Sequence, residues 1–171
     1  FALTANGATA EATSGDPVQA LDNNTGTRWE SAAADPQTFI IDLGQERIFN
    51  TLEIVWEGAY AKTFTVSTSS DKANWTPVWH VTGQELAGFP YTQTQTIDKT
   101  TARYVKFEGI ERGTVYGYSF WEFRVYLAGV SILTSLEAKA ENLITKIGAT
   151  NTITITAKDQ NGQAMADAGE V

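Results

Sequence analysis

Short runs in which apolar and polar residues alternate, punctuated by Gly, Pro, Asn and Asp, fill most of this chain. A period of two is the mark of strands with one buried face. Residues 64–68, Phe-Thr-Val-Ser-Thr, alternate cleanly. Residues 48–56 set Leu52, Ile54 and Trp56 on one face, with Glu53, Val55 and then Glu57 on the other. Residues 38–43 form a compact apolar strand that Gly44 is expected to close, and residues 75–81, 91–97, 102–109 and 119–127 complete the set. Residues 69–74, Ser-Ser-Asp-Lys-Ala-Asn, read as a turn. The one helical signal is a single turn over residues 17–22, with Asp16 as N-cap and Pro17 at the first helical position. About eight strands at this spacing predict an all-β fold, an antiparallel jelly-roll β-sandwich.

The pattern changes after Gly129. Residues 135–141 and 152–158 alternate again, the latter ending at Asp159-Gln-Asn-Gly162, in a Thr-rich segment without an aromatic residue. About 40 residues are roughly half of what a sandwich domain needs. The expected organisation is one domain over residues 1–128, then a linker and a partial second β segment over 129–171. That reads as a fragment of a larger multidomain protein; a tail packed on the first domain is the alternative.

Charge narrows the partners. A formal net charge of −8 argues against nucleic acid and anionic membranes, which call for clustered Lys and Arg. No apolar run approaches the roughly 18–20 residues that span a bilayer, and Phe1-Ala-Leu-Thr reads as the start of a mature protein or of a fragment. The absence of cysteine removes disulfides, zinc–thiolate sites and thiol nucleophiles, and leaves the compartment open. The single histidine, His80, falls inside a strand, so no His-rich metal cluster forms and any Ser-His-Asp triad would depend on that residue. With no nucleophile–base pair and little room for a cleft, intrinsic catalysis is not expected. Five Trp and six Tyr amid many Thr, Ser and Gly point to β-structure with aromatic contact surfaces.

One stretch concentrates the candidate chemistry: residues 20–31, Ala-Leu-Asp-Asn-Asn-Thr-Gly-Thr-Arg-Trp-Glu-Ser. Its oxygen-rich loop, Asp22 to Thr27, suits a hard cation such as Ca²⁺. An EF-hand is rejected, because its twelfth position is Ala33 instead of Glu and no helices flank the loop. A cation site closed by a distant carboxylate and a plain Asx turn both fit the spacing. Glu122 is the candidate closing residue, since it sits between Trp121 and Phe123, where a free charge would be costly.

Five blocks occurring in order carry a resemblance. They are residues 20–29 (Ala-Leu-Asp-Asn-Asn-Thr-Gly-Thr-Arg-Trp), 39–44 (Phe-Ile-Ile-Asp-Leu-Gly), 64–71 with Trp75, 102–107 (Ala-Arg-Tyr-Val-Lys-Phe) and 116–126 (Tyr-Gly-Tyr-Ser-Phe-Trp-Glu-Phe-Arg-Val-Tyr). Together they resemble the discoidin, or coagulation factor 5/8 type C, family in its bacterial form, carbohydrate-binding module family 32. The resemblance implies a jelly roll with one structural Ca²⁺, held by the Leu21 carbonyl, Asp22, Asn24, Thr27 and Glu122. The lack of a disulfide favours the bacterial branch. Residues 136–162 are similar to the first half of bacterial immunoglobulin-like (Big-type) domains, which act as spacers in secreted and cell-surface enzymes.

The resemblance places sugars on loops near the calcium loop. The candidates are Glu11, Arg28 and Glu30, then Glu57, Tyr60 and Lys62, then Arg112, Tyr116 and Tyr118. These loops combine charged hydrogen-bonding groups with aromatic faces, the pairing that sugar recognition uses. Trp29 and Trp56 adjoin strands and are expected in the core. At least one of Tyr116 and Tyr118 is expected to be exposed, and Arg28 has a competing role as the ion-pair partner of Asp35 or Glu30. The galactose pattern of His and Phe is not evident. Glu11, Glu30 and Glu57 would suit a cationic glucosamine chain, and a neutral β-1,3-glucan is the competing ligand. The overall expectation is a non-catalytic module that targets a secreted or cell-surface glycoside hydrolase to a polysaccharide. The alternative is a discoidin-type adhesion module for cell-surface glycoprotein or phospholipid, disfavoured by loops that are acidic and carry Tyr and Trp in place of Leu or Phe pairs.

Overall fold

A computed structural model describes residues 2–128, 135–140 and 153–158. The chain divides into two compact units, residues 1–128 and 129–171. The first is an all-β antiparallel sandwich of seven strands: β1 (Thr9–Ala12), β2 (Trp29–Glu30), β3 (Gln37–Trp56), β4 (Ala61–Ser69), β5 (Thr76–Val81), β6 (Tyr91–Arg112) and β7 (Ser119–Tyr126). Two 3-10 turns, Thr4–Asn6 and Pro17–Ala20, precede β2. Asp16 caps the second, accepting from the Val18 amide at 3.3 Å, with Pro17 at its start.

Strands β3 and β6 organise everything else, because each runs through both layers. Residues 37–42 of β3 pair with β1 on one side and with residues 104–109 of β6 on the other. Beyond them β6 pairs with β4, and β4 with β5. Residues 51–56 of β3 pair instead with residues 91–96 of β6 and with β7, which carries β2. Register shifts between Asp42 and Arg47 and between Phe49 and Thr51 mark where the pair turns from one layer to the next. Such irregularities bend and twist a strand locally.

The structure corrects the expected strand list here. Gly44, in the left-handed region at φ 78, turns the ladder without ending it, so the strands expected at 38–43 and 48–56 are one strand. Those expected at 91–97 and 102–109 are likewise halves of β6. The short strands β1 and β2 were not anticipated.

Between the layers lies an aromatic core. Trp29, Phe39, Trp56, Phe64, Phe107, Phe120 and Phe123 are fully buried. Their rings meet mostly edge to face, as in Trp29–Phe39 at 5.1 Å, Trp56–Phe107 at 5.9 Å and Phe107–Phe120 at 5.7 Å. This is the geometry the ring quadrupole favours, at about 0.5–1.5 kcal/mol per pair beyond area burial. On β7, Trp56 faces Phe120 while Val55 faces Glu122, so Trp121 is the extra residue of a bulge. The bulge lets Phe120 and Phe123 both enter the core and turns Glu122 to the outer face.

In the second unit, β8 (Ser135–Ala140) and β9 (Ile153–Lys158) form a two-stranded antiparallel ladder with Ser135 opposite Lys158. The turn expected at 159–162 and the segment around Ile147 lie outside the described residues.

Candidate functional site

Three loops meet where β2 and β7 begin. The loop after β3 is tied to β7: the Glu57 amide donates to the Ser119 carbonyl at 3.1 Å, and the Ser119 amide to the Ala59 carbonyl at 2.7 Å. The loop after β6 is tied to the segment after β2: the Ser31 amide donates to the Tyr118 carbonyl and the Tyr118 amide to Ser31 Oγ, each at 2.9 Å. Gly117 is needed for that approach, since a Cβ there would strike the Ser31 carbonyl oxygen. With Trp29 buried in the core, Arg28 and Glu30 on either side of it turn outward.

These constraints shape a cleft of about 340 Å³, lined by Arg28, Glu30, Glu57, Gly58, Ala59, Thr114 and Tyr116. Arg28 Nη2 donates to Glu30 Oε2 at 2.8 Å, and its guanidinium lies 5.6 Å from the centre of the Trp121 ring. Arg28 Nε is buried there without a partner. The arginine is therefore held flat by a carboxylate at one end and an indole face beneath. Two Glu against one Arg leave the lining acidic. Tyr116, 66% exposed, stands at the lip.

Four of the nine sequence-predicted ligand residues thus share the cleft: Arg28, Glu30, Glu57 and Tyr116. The others do not line it. Tyr118 is fully buried, packed over Gly109 with its hydroxyl donating to Asp35; this corrects its assignment to the exposed rim. Burial, and then its hydrogen bond to the carboxylate of Asp35, hold its phenol far above the ordinary range. Tyr60 is 8% exposed, lies against Gly113 and stacks with Phe89, so it packs behind the cleft and offers no contact surface to it. Arg112 stands behind the cleft, with Nε 3.2 Å from Asp35 and Nη1 donating to the Val115 and Tyr116 carbonyls at 3.3 and 3.4 Å. It supports the loop that carries Tyr116. Lys62 pairs with Glu111 at 3.2 Å. Glu11 pairs with Lys72 at 2.8 Å and lines a separate hollow with Asp42, so it is no part of the acidic group expected with Glu30 and Glu57. Arg28 takes Glu30 as its partner, and Asp35 goes to Arg112. Trp121, which lies beneath Arg28, was not anticipated as part of the site, and Asp35, expected as one of two partners for Arg28, instead holds Arg112 and Tyr118. Only the place of Trp121 as the extra residue of the bulge distinguishes it, and that bulge is a property of the pairing with β3.

The oxygen-rich loop lies on the outer face of β7. Asp22 Oδ1 accepts from the Asn24 amide at 2.9 Å, the Asx turn that the spacing allowed. Thr27 Oγ1 donates to Asp22 Oδ2 at 2.7 Å and lies 2.9 Å from the Asn24 carbonyl. The Leu21 carbonyl already accepts from the Thr4 amide at 3.0 Å. Beneath the loop, Glu122 is completely buried and neither of its oxygens has a hydrogen-bond partner. Burial raises its pKa above the ordinary carboxylate value; the neighbouring Asp22 pushes the same way, and Arg124 and the Asn23 and Asn24 amides only partly oppose them. Those amides lie near without bonding in good geometry. Among the described residues no cluster of three or more His, Cys, Asp or Glu ligands occurs. The set here has two carboxylates, with carbonyl, amide and hydroxyl oxygens around them.

Residues 19–107 match the factor 5/8 type C family described as NedA-like, galactose-binding domain. Chitosan-binding module 1 of a chitosanase/glucanase from Paenibacillus sp. IK-5 is 38% identical over 73% of this chain and 96% of its own, with a TM-score of 0.66. Chitosan-binding module 2 of that enzyme, solved with chitotriose, is 34% identical over 73% of this chain and 98% of its own, with a TM-score of 0.66. The chain belongs to the factor 5/8 type C family. A more distant likeness, 23% identical over 69% of this chain and 92% of its own with a TM-score of 0.60, is to the family 32 module of C. perfringens NanJ in complex with galactose. That likeness shows the shared fold. No curated protein matches the chain.

In this factor 5/8 type C domain the donors around Glu122 fit a hard cation. A buried carboxylate with both oxygens unbonded, within the electrostatic reach of a second carboxylate, is the arrangement a divalent ion neutralises. Asp22, Asn24, Thr27 and Glu122 offer side-chain oxygens; the Leu21 carbonyl has one lone pair already engaged.

Proposed function

We propose that residues 1–128 form a carbohydrate-binding module whose cleft takes a chain of β-linked glucosamine. The observation that carries this reading is the cleft itself: an Arg28–Glu30 pair, the Glu57 carboxylate and the exposed Tyr116 ring around one shallow hollow. A stacked aromatic and fixed charged groups are the means by which a flat polyhydroxylated ring is held. The net negative lining favours an ammonium-bearing sugar over a neutral one. The identity to two chitosan-binding modules supports the same substrate class.

The module's role is to keep a parent glycoside hydrolase, secreted or at the cell surface, near its polysaccharide. The second unit is read as the opening of an Ig-like spacer. A Ca²⁺ ion held by Asp22, Asn24, Thr27 and Glu122, with the Leu21 carbonyl, is structural: it ties the loop that leads into Arg28 to the strand that bears Trp121. The chemistry the ion supplies is charge neutralisation, and binding and orientation of sugar belong to the cleft residues.

Affinity electrophoresis on chitosan, N-acetylated chitin and β-1,3-glucan tests the reading. Retardation by chitosan is expected, weakened about tenfold by Glu57→Gln, and suppressed by salt as an exposed charge contact should be. Retardation only by β-1,3-glucan would replace the glycan class, and release of reducing ends would make the chain an enzyme.

A further inference from the structure

We infer that the aromatic stack of Tyr60 and Phe89 extends the cleft into a second sugar-binding platform, with the outer face of Phe89 as its contact surface. This rests on the carbohydrate-binding reading above. Gly58 and Ala59 line the cleft and lead directly into Tyr60; Thr114 lines it and follows Gly113. The Tyr60 carbonyl accepts from the Gly113 amide at 2.9 Å, and the Tyr60 ring lies against Gly113, where any Cβ would collide with it. The Tyr60–Gly113 contact therefore borders the cleft without lining it. On its far side Phe89 stacks on Tyr60, with centroids 5.8 Å apart and planes inclined by 25°. Tyr60 is nearly covered, whereas Phe89 is 37% exposed and Tyr91 beside it 38%.

An exposed phenylalanine usually reflects a loop with nowhere better to put it, but this loop is anchored. The Gln84 amide donates to the Lys62 carbonyl at 2.9 Å and its side chain to the Ala61 carbonyl at 2.7 Å. Gln93 Nε2 donates to Gln84 Oε1 at 2.8 Å, and buried Trp56 donates through Nε1 to Gln93 Oε1 at 2.8 Å. Leu86 packs on the core. Phe89 is thus presented on a braced loop, and an immobilised aromatic face loses little entropy when a ligand stacks on it. The occupant is the glycan chain already in the cleft, continuing past Tyr60; the flat apolar face of a β-linked sugar matches an aromatic ring in both chemistry and shape. The module accordingly recognises a chain of several residues and not only an end sugar.

Calorimetry of the full chain against glucosamine oligomers from dimer to hexamer, and against a matching β-1,3-glucan series, tests this. Wild-type affinity is expected to rise with length. Phe89→Ala should bind the dimer within about twofold of wild type and the hexamer roughly 3- to 10-fold more weakly. Phe89→Trp should restore the length dependence, and Phe89→Leu, which still covers Tyr60 but has no flat face, should not. If Phe89→Leu keeps the full length dependence, or weakens dimer and hexamer alike, the platform is overturned while the cleft stands. If wild type binds neither series, the carbohydrate-binding reading is overturned, and the platform with it.

Discussion

The hydroxyl of Tyr118 donates to one oxygen of Asp35, and the other accepts from Arg112 at 3.2 Å. A residue expected on the binding rim is thereby the inner end of a network that holds the rim in place. Tyr118→Phe keeps the ring over Gly109 but removes the donor from a charged acceptor. Stability should fall by about 1–3 kcal/mol in thermal or denaturant unfolding. Glycan affinity of the folded protein should stay within about twofold, because the phenol touches no ligand. A loss of affinity without loss of stability would return Tyr118 to the rim.

Calcium should stabilise the sandwich, by about 2.7 kcal/mol when its concentration is a hundred times Kd. Chelation should lower Tm accordingly. Glu122→Gln should abolish the response to calcium, yet the chelated variant should be no less stable than chelated wild type. The reason is that Glu122 is buried beside Asp22 with no partner for either oxygen, an arrangement costly to keep charged. Equal Tm values with and without chelator in wild type would reject the cation site.

Trp121 should matter to binding without touching the core. Its ring lies beneath Arg28, and such cation–π contacts contribute about 0.5–1 kcal/mol at exposed sites. Trp121→Leu should therefore weaken glycan binding by roughly 2- to 5-fold in calorimetry. An Arg28→Ala background should remove most of that effect, and a full effect in that background would mean that Trp121 contacts the sugar directly.

Acid should loosen the turn between β4 and β5. Asp71 Oδ1 accepts from the Ala73 and Asn74 amides at 2.8 Å, and Oδ2 from Asn74 Nδ2 at 2.7 Å. These bonds, those of Asn74 foremost, hold its pKa well below the ordinary 3.8. A depressed folded pKa gives stability that is complete above the unfolded value and lost as pH falls through the folded one. Tm should thus decline as pH drops below about 4, and Asp71→Ala should flatten that part of the profile. An unchanged profile in the variant would assign acid sensitivity elsewhere, with the half-buried Asp42–Arg103 pair next in line.

What the sequence disclosed followed from burial. Strand alternation was readable wherever one face meets the core, as at Leu52, Ile54 and Trp56, and the isolated charge of Glu122 among aromatics announced a buried carboxylate. What it concealed depended on pairing between distant segments. The break at residues 44–48 looked like a strand end because those side chains mostly leave the core, although the ladder between β3 and β6 resumes at Arg47 opposite Ala102. Tyr116 and Tyr118 flank the same glycine and are locally equivalent. Tyr118 turns inward because Gly109 on β6 leaves room for its ring, and no local pattern reveals that notch. A two-residue strand such as β2 has no period to detect.

Ala128 is clasped by Asn50, its amide donating to Asn50 Oδ1 at 2.7 Å and its carbonyl accepting from Asn50 Nδ2 at 3.2 Å. The cleft loops grip β7 at Ser119, and Ala128 lies just past the other end of that strand. A pull between bound glycan and residue 128 therefore runs along β7, parallel to its ladder with β3. The bonds of that ladder are strained together in shear instead of parting one after another as in a zipper. Resistance to a load of this kind is set by the rate of forced unfolding and not by equilibrium stability.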